Sequence, residues 1–295
     1  MVVAPGFIDL HSHSDYPLQN KATRANLSFA YQGATTVVTG NCGAGPADVA
    51  KYFAALEKNG VGCNVIHLMP HNTVRKQVMT NANRAPSPAE LKMEAILERG
   101  MTDGAWGMAT GLIYTPGSYS KTDELIALSK VIAKHGGIYA SHIRDEGSGV
   151  LGAIDEALRI GKEAGLPVHI SHLKASGKSV WGKSADIVAA IAAARKAGQV
   201  VTADQYPYTA SSTSLAATLI PTRWREGTDA DFQSALADPD LGPQIKEAME
   251  RALKARRRLV GADRPLLEEP GLAGQRPRRH RRYGKEDAFG DRLRG

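Results

Sequence analysis

The segment Pro5-Gly6-Phe7-Ile8-Asp9-Leu10-His11-Ser12-His13 is an apolar run that ends in two histidines separated by one residue. Side chains two residues apart on a β-strand point to the same face, so His11 and His13 can direct ring nitrogens towards one ion. A polar strand end that holds two histidines by chance is the simpler alternative. The segment predicts a strand with a metal site at its carboxyl end.

Further potential ligands end later short runs of apolar or β-branched residues. Cys42 lies in Gly40-Asn41-Cys42-Gly43, His142 in Ser141-His142-Ile143 and His172 in Ser171-His172-Leu173. A buried thiol and core histidines bonded to the backbone are the structural alternatives. The carboxyl-end face of a (β/α)₈ barrel gathers the functional residues of several parallel strands. Ligands at so many strand ends favour such a barrel with a metal-binding face.

Hydrophobic periodicity divides the chain as far as Tyr208 into seven βα units. After the first strand, the predicted strands cover residues 33–39, 62–69, 104–112, 137–143, 167–173 and 200–206, and the predicted helices cover residues 20–32, 48–59, 87–99, 125–135, 151–164 and 185–197. A doubly wound open sheet is the alternative, but its glycine-rich phosphate fingerprint is absent from the sequence. No eighth strand is readable. The sequence predicts an α/β fold, a TIM-like (β/α) barrel with its eighth unit missing.

Six motifs over residues 2–225 resemble those of one known family. They are Pro-Gly-Phe-Ile-Asp-Leu-His-Ser-His, Gly-Asn-Cys-Gly, Gly-Leu-Ile-Tyr-Thr-Pro-Gly, Ser-His-Ile-Arg-Asp-Glu-Gly, Ile-Ser-His-Leu-Lys and Asp-Gln-Tyr-Pro-Tyr. In this order the motifs are similar to those of the D-aminoacylases, the N-acyl-D-amino-acid deacylase branch of the amidohydrolase superfamily. The resemblance implies a metal-dependent hydrolase that cleaves an N-acyl-D-amino acid to a carboxylate and a D-amino acid. An amidohydrolase for cyclic amides, of the hydantoinase or dihydroorotase kind, and an inactive metal-binding fragment are the alternatives.

The donor types suit zinc, because thiolate sulfur and imidazole nitrogen are the ligands that Zn²⁺ prefers in proteins. The resemblance implies that Cys42, His142 and His172 hold one tight ion. It also implies that His11 and His13 serve a second, weaker position. The donor types therefore predict Zn²⁺ as the cofactor, and the resemblance implies one tight ion and room for a second.

Cationic and hydroxyl groups near these motifs indicate a substrate with a carboxylate. Lys174 follows His172 by two residues on the predicted strand and can meet that carboxylate as a point charge. Tyr114 and Tyr206 can donate hydrogen bonds, as the matching family positions do. Tyr208 competes with Tyr206 for this role, and a plain surface role is the alternative for Lys174.

The catalytic residue stays unassigned. In the family, an Asp that ends strand eight moves the proton, and a strand-eight arginine helps to hold the substrate; neither has a match in this chain. Asp9 and Asp204 lie inside predicted strands one and seven, where ligand-supporting or structural roles are favoured. The remaining histidines are expected to be structural or surface residues: His67, His71, His135, His169 and His280. We therefore expect a truncated derivative with little or no deacylase activity.

Bulk composition indicates one globular domain of ordinary type. The 295 residues are 42% hydrophobic and 23% charged, and about 250 residues suffice for a barrel. The sequence contains neither a run of 18 apolar residues nor a signal peptide, so the prediction is a cytoplasmic protein without membrane contact. Cys42 and Cys63 are then expected to be reduced, with Cys63 as a small buried side chain.

The net charge of +7 comes from the C-terminal tail. Residues 251–295 contain 14 basic and 6 acidic residues, whereas the first 250 contain 23 basic and 24 acidic residues. We predict a barrel over residues 1–225, a helical extension over 226–250 with a polar helix at 229–253, and a basic tail over 251–295. The tail is expected to be disordered or to come from a shifted reading frame, and nucleic-acid binding through it is the less favoured alternative.

Overall fold

A computed structural model describes residues 3–177, 180–208 and 211–261. In them, parallel strands alternate with helices in the order that the barrel prediction requires. The strands are β1 (Phe7–Asp9), β2 (Ala34–Thr39), β3 (Asn64–His67), β4 (Met69–Pro70), β5 (Gly107–Gly111), β6 (Ile138–His142), β7 (Val168–Ile170) and β8 (Val201–Ala203). The helices are α1 (Leu27–Ala30), α2 (Val49–Asn59), α3 (His71–Met79), α4 (Lys92–Thr102), α5 (Thr122–Lys134), α6 (Val150–Ala164), α7 (Ser184–Lys196), α8 (Leu215–Leu219), α9 (Asp229–Ala237) and α10 (Leu241–Gly261).

The strands form an arc of seven parallel positions. β1, β2 and β3 pair in that order, and β4 to β8 pair in chain order. The two sheets meet at Leu68, whose backbone N–H donates to the carbonyl of Thr39 at 2.9 Å, while Trp106 donates to the carbonyl of His67 at 2.9 Å. β3 and β4 are therefore two parts of the third strand position. Within the described ranges β1 and β8 each pair on one side, so the arc contains the seven predicted strands and no eighth.

Successive side chains of β5 and β6 belong alternately to two different apolar clusters, one on each face of the sheet. Met108 of β5 and Tyr139 of β6 belong to the large cluster that the helices cover. Their neighbours Ala109 and Ala140 belong instead to a small cluster on the other face, with Val38 and Leu68. This period of two is what parallel strands with two covered faces require. It leaves the strand ends to carry the polar residues.

Helix ends agree with the capping residues that the sequence shows. Asp48 caps α2 by accepting the backbone N–H of Lys51 at 3.0 Å. Ser87 and Glu90 form the expected capping box, although a 3₁₀ turn precedes α4 there. The apolar face predicted for α5 is buried. These local predictions are confirmed.

Two helix predictions are wrong, and two helices were not predicted. Residues 20–32 form turns and the short α1, because buried Asn26 adopts a left-handed conformation (φ 49°) and accepts a hydrogen bond from Ser14 at 3.3 Å. The polar helix at 229–253 is two helices, α9 and α10, because Pro239 cannot continue a helix and keeps Asp238 extended. The helices α3 and α8 lack a clear periodic signal and were missed.

The residues of the site described below lie in one compact unit, residues 1–255. The helix α10 runs through residue 250 without interruption, across the predicted limit of the extension. Residues 262–295, which include His280 and most of the basic tail, lie outside the described residues. None of the described helices combines the length and apolar character needed to cross a membrane.

Candidate metal centre

The predicted ligands gather at the carboxyl ends of the strands, but mostly in the loops that follow them. His142 is the last residue of β6, and Cys42 lies in a 3₁₀ turn after β2. β1 ends at Asp9 and β7 ends at Ile170, so His11, His13 and His172 come after their strands. The prediction that they occupy strand faces is wrong, since the strands end earlier than the apolar runs do. The loops nevertheless bring the side chains together.

The turn that carries Cys42 is held in a strained conformation. Cys42 has φ 53°, in the left-handed region that non-glycine residues seldom adopt. Asp15 accepts the backbone N–H of Gly40 at 2.6 Å, and the Asn41 amide donates to the carbonyl of Val38 at 2.9 Å. A side chain at Gly40 would collide with the carbonyl of Leu68, 1.9 Å from an added Cβ. Such strain persists where surrounding contacts enforce it, commonly at functional sites.

His172 has the same type of backbone strain, with φ 36°. Its backbone N–H donates to Asp204 Oδ1 at 2.5 Å, and its Nδ1 lies 2.9 Å from Glu146 Oε1. The other ring nitrogen, Nε2, is 2.8 Å from His142 Nδ1 and 3.6 Å from Cys42 Sγ. The ring therefore presents one nitrogen to a carboxylate and the other to the candidate ligands.

His142 is buried and presents Nδ1 to the cluster. Its Nε2 is buried without a hydrogen-bond partner among the described residues, and Glu146 Oε1 is 4.0 Å away. Burial and the neighbouring His172 lower the pKa of His142 to about 3. The ring is consequently neutral, which is the form that binds a metal ion.

His11 joins the cluster from the other side. Its Nε2 lies 3.4 Å from Cys42 Sγ, and its Nδ1 lies 3.0 Å from Asp204 Oδ2. The ring of His13, which is exposed, is centred 5.2 Å from that of His11. The ligand atoms of Cys42, His142 and His172 lie within 4.8 Å of one another, and so do those of His11, His13 and Cys42. Cys42 is shared by the two groups.

The donor chemistry of this cluster fits a soft divalent ion such as zinc. One thiol and two or more imidazole nitrogens converge, supplied by the end of β6 and by the segments that follow β1, β2 and β7. Burial, together with the carboxylates of Asp204 and Glu146, raises the pKa of the Cys42 thiol to about 12. A bound cation supplies the positive charge that favours the thiolate. Without such a cation, the raised pKa of the Cys42 thiol argues against an activated nucleophile.

Lys174 also lies in the loop after β7, not on a strand. Its Nζ is 2.6 Å from Glu146 Oε1 and 3.1 Å from His172 Nδ1, and it stands 5.4 Å from the centre of the Tyr206 ring. Although burial opposes ionisation, hydrogen bonds from His172 and Lys174 lower the pKa of Glu146 to about 2. Lys174 thus has an ionised partner beside the cluster.

The two predicted tyrosines flank the cluster. The Tyr114 ring is centred 4.9 Å from that of His142, and its hydroxyl pairs with Thr213 at 2.9 Å. The Tyr206 and Tyr208 rings are stacked with centres 6.2 Å apart. Of these two, Tyr206 is the one placed against Lys174.

Three polar residues that contact the ligands or the residues holding them were missed or set aside by sequence reasoning. Glu146, four residues after His142, pairs with Lys174 and His172. Asp15, two residues after His13, holds the Cys42 turn. His169 was expected to be merely structural and lies 2.8 Å from Asp204. The only sequence signal for these residues was a charged or imidazole side chain within four residues of a predicted ligand.

Comparison with known proteins identifies the family. Residues 1–260 match the amidohydrolase family. The chain belongs to the amidohydrolase family. This amidohydrolase is 39% identical over 240 residues to the D-aminoacylase of Alcaligenes xylosoxydans xylosoxydans, an alignment that covers 73% of this chain and 49% of that protein. The chain spans about half the length of the curated relative that it matches.

Solved structures of relatives support the barrel assignment. Structures of D-aminoacylase match with a TM-score of 0.68 and 36% identity, covering 73% of this amidohydrolase and 50% of that chain. One of them concerns a binuclear metal centre, with activation by one metal and attenuation by a second. The N-acyl-D-glutamate deacylase of Bordetella bronchiseptica, solved with zinc and a phosphonate inhibitor, matches with a TM-score of 0.67 and 36% identity over 69% of this chain and 48% of that one. The fold is the TIM-like fold of these amidohydrolases.

Proposed function

We propose that this chain forms the metal-binding part of an N-acyl-D-amino-acid deacylase, which hydrolyses an N-acyl-D-amino acid to a carboxylate and a D-amino acid. The observation that carries the proposal is the cluster of Cys42, His142 and His172, joined by His11 and His13. The relatives named D-aminoacylase and N-acyl-D-glutamate deacylase support the reaction, and the zinc in the second supports the metal.

Cys42, His142 and His172 would hold the tight zinc ion, and His11 and His13 a second, weaker one. When bound, the ion polarises the acyl carbonyl and lowers the pKa of a bound water. The contribution of the protein is to hold the imidazoles and the thiol in place before the ion arrives. The strained backbones of Cys42 and His172 and the carboxylate contacts of the rings provide that order.

Lys174 would bind the substrate carboxylate with help from Tyr206 and Tyr114. Its ammonium already contacts Glu146, so a substrate carboxylate would share Lys174 with that side chain. Sharing is feasible because an ammonium group has three N–H donors. A neutral amide lacking the carboxylate would gain nothing from Lys174 and would bind poorly.

No described acid in contact with the cluster is free to move the proton to the leaving amine. Asp9 accepts the backbone N–H of His11 at 2.9 Å, and Asp15 and Glu146 are engaged as described above. Asp204 uses both oxygens, towards His11, His169 and His172. General acid–base catalysis typically contributes about 10²–10⁴ in rate. We therefore expect slow hydrolysis by this chain, even with metal bound.

Metal content tests the proposal directly. We expect the purified chain to carry about one equivalent of zinc, because one thiol and two imidazole nitrogens form a set of three protein ligands, and Cys42→Ala to lose it. Cys63→Ala is the matched control, because Cys63 is the other free cysteine and contacts Asn26, away from the cluster. Elemental analysis after dialysis measures the content. Unchanged zinc in Cys42→Ala would contradict the assignment.

Stereochemistry tests the reaction. N-acetyl-D- and N-acetyl-L-amino acids should be compared over long incubations, with Cys42→Ala as the background. Slow release of the D-amino acid alone is the expected result. Preference for L-substrates or for cyclic amides such as hydantoins would move the chain to another amidohydrolase branch. Metal binding without any hydrolysis would identify an inactive metal-binding fragment.

A further inference from the structure

Asp204 contacts three groups at the junction of the two candidate metal positions. Its Oδ2 lies 3.0 Å from His11 Nδ1 and 2.8 Å from His169 Nε2. Its Oδ1 accepts the backbone N–H of His172 at 2.5 Å. His11 belongs to one ligand group and His172 to the other. One carboxylate therefore touches a ligand from each position.

The contacts of Asp204 determine which ring nitrogen of His11 carries its proton. A carboxylate oxygen is an acceptor, so the neutral His11 ring must place its proton on Nδ1 to meet it. Its Nε2 is then unprotonated and faces Cys42 Sγ at 3.4 Å. This is the tautomer that can bind a metal ion through Nε2.

His169 fixes Asp204 in turn. Its side chain is buried, with Nε2 against Asp204 and Nδ1 2.8 Å from the hydroxyl of Thr202. By the same reasoning its proton lies on Nε2, and Nδ1 accepts from Thr202, which leaves both nitrogens satisfied. The order of contacts is Thr202, His169, Asp204 and then the two ligands.

We propose that Asp204, held by His169, is a positioning residue for both metal positions. It sets the tautomer of His11 through one oxygen and holds the left-handed backbone of His172 through the other. The inference rests on the proposed function for its purpose, but its test can be made without metal. Asp204 touches the ligands rather than the reacting atoms, so its role differs from proton transfer to the substrate.

The first test is the tautomer of His11 in the metal-free protein. Long-range ¹⁵N–¹H spectra of histidine-labelled chain, at alkaline pH, distinguish a protonated Nδ1 from a protonated Nε2. We expect Nδ1–H for His11 in the wild type. In Asp204→Asn the amide NH₂ can replace Oδ2, and the His11 proton then moves to Nε2. Wild-type His11 protonated on Nε2 would overturn the proposal without any variant.

The second test is zinc affinity, measured by competition with a chromophoric chelator. Asp204→Asn should abolish the binding of a second equivalent, because its NH₂ meets His11 while its Oδ1 can still accept the N–H of His172. Asp204→Ala removes both contacts and should in addition weaken the tight site about 10- to 100-fold, as loss of a supporting hydrogen bond to a ligand does elsewhere. His169→Leu should have a smaller effect in the same direction, and His169→Gln should restore part of it by donating an amide N–H to Asp204. If the Asp204 variants fail to fold, the two His169 variants and the wild-type tautomer decide.

The surface pair His135–Glu98 provides the matched control, since its Nε2–Oε1 distance is 2.7 Å and it lies outside the cluster. His135→Gln should leave zinc affinity unchanged. Equal zinc affinity in wild type and Asp204→Ala, with the wild-type tautomer in Asp204→Asn, would overturn the proposal. Absence of zinc from the wild type would instead refute the proposed function and leave the tautomer result standing.

Discussion

One carboxylate oxygen of Glu146 contacts both a candidate metal ligand and the lysine proposed to bind the substrate. Oε1 lies 2.6 Å from Lys174 Nζ and 2.9 Å from His172 Nδ1. Through the first contact it holds the cation proposed for the substrate, and through the second it turns His172 Nε2 towards Cys42. A carboxylate against the outer nitrogen of a ligand histidine is a common support for metal sites. His172 and His11 therefore share one arrangement, with Glu146 and Asp204 as the supporting carboxylates.

We predict that Glu146→Gln weakens zinc binding by about tenfold or more and also raises the KM for any N-acyl-D-amino acid that is turned over. The amide keeps the shape of Glu146 but removes the charge that attracts Lys174. Chelator competition and steady-state kinetics measure the two effects separately. Glu98→Gln, the same change at the surface pair with His135, is the control. A tighter zinc site in Glu146→Gln would refute this role.

At the scale of elements, α3 connects the third strand position to the rest of the arc. Asn72, in its first turn, donates to the carbonyl of Gly111 at 2.9 Å and accepts its N–H at 3.1 Å, at the carboxyl end of β5. Arg75, one turn later, is fully buried and donates to Glu124 of α5 at 3.0 Å and to the carbonyls of Ala82 and Arg84. The helix is thus anchored by an ion pair out of water.

We predict that Glu124→Gln lowers the free energy of unfolding by about 3–5 kcal/mol, because it leaves the buried Arg75 guanidinium uncompensated. The double variant with Arg75→Met should cost less than the sum of the single changes. Urea titration measures both. Glu163→Gln, which breaks the exposed pair with Arg159, should change little. If the losses of unfolding free energy in the two single variants simply add up in the double variant, Arg75 and Glu124 are not coupled.

The ion pair of Arg75 and Glu124 should also affect how the free energy of unfolding changes at acidic pH. Burial opposes ionisation of Glu124, but the contacts with His71 and Arg75 outweigh it and lower its pKa below the usual 4.5. A depressed carboxyl pKa stabilises the folded state above the unfolded-state value, and this contribution is lost as the pH falls. The Glu124→Gln variant should therefore lose less stability between neutral and acidic pH than the wild type does.

At the scale of the whole molecule, the described arc ends in two strands paired on one side. Phe7 and Ile8 of β1 are 64% and 57% exposed, and Leu10 just beyond it is 48% exposed. Unpaired strand edges with apolar side chains favour association with other chains. The β1 edge is consequently a part of the described surface that favours self-association.

We predict that Ile8→Lys reduces concentration-dependent self-association of the purified chain, since a charge on an edge strand discourages pairing. Sedimentation velocity over a range of concentrations measures it. Val188→Lys is the control, because Val188 is 63% exposed but lies on α7. Equal improvement in both variants would point to general solubility rather than to the strand edge.

The sequence by itself determined the order of the strands, the helix caps at Asp48 and Ser87, and the set of candidate ligands. All three can be predicted from the spacing of apolar residues and from residue chemistry within short segments of the chain. The family and the TIM-like fold followed from the motifs and were confirmed by the comparisons. The assignment of individual site residues remains a proposal that the geometry supports.

Only the tertiary structure decided how those ligands are held. The left-handed backbones of Cys42 and His172 depend on carboxylates that the fold brings in. Asp15, which holds the Cys42 turn through Gly40, lies 25 residues before Gly40, and Asp204 lies 32 residues after His172. His169 lies on β7 and Asp204 directly follows β8. The contact of Asp204 with His11 joins the end of the last described strand to the loop after the first one. No periodic pattern encodes such contacts, because each is formed by packing distant loops at one end of the sheet.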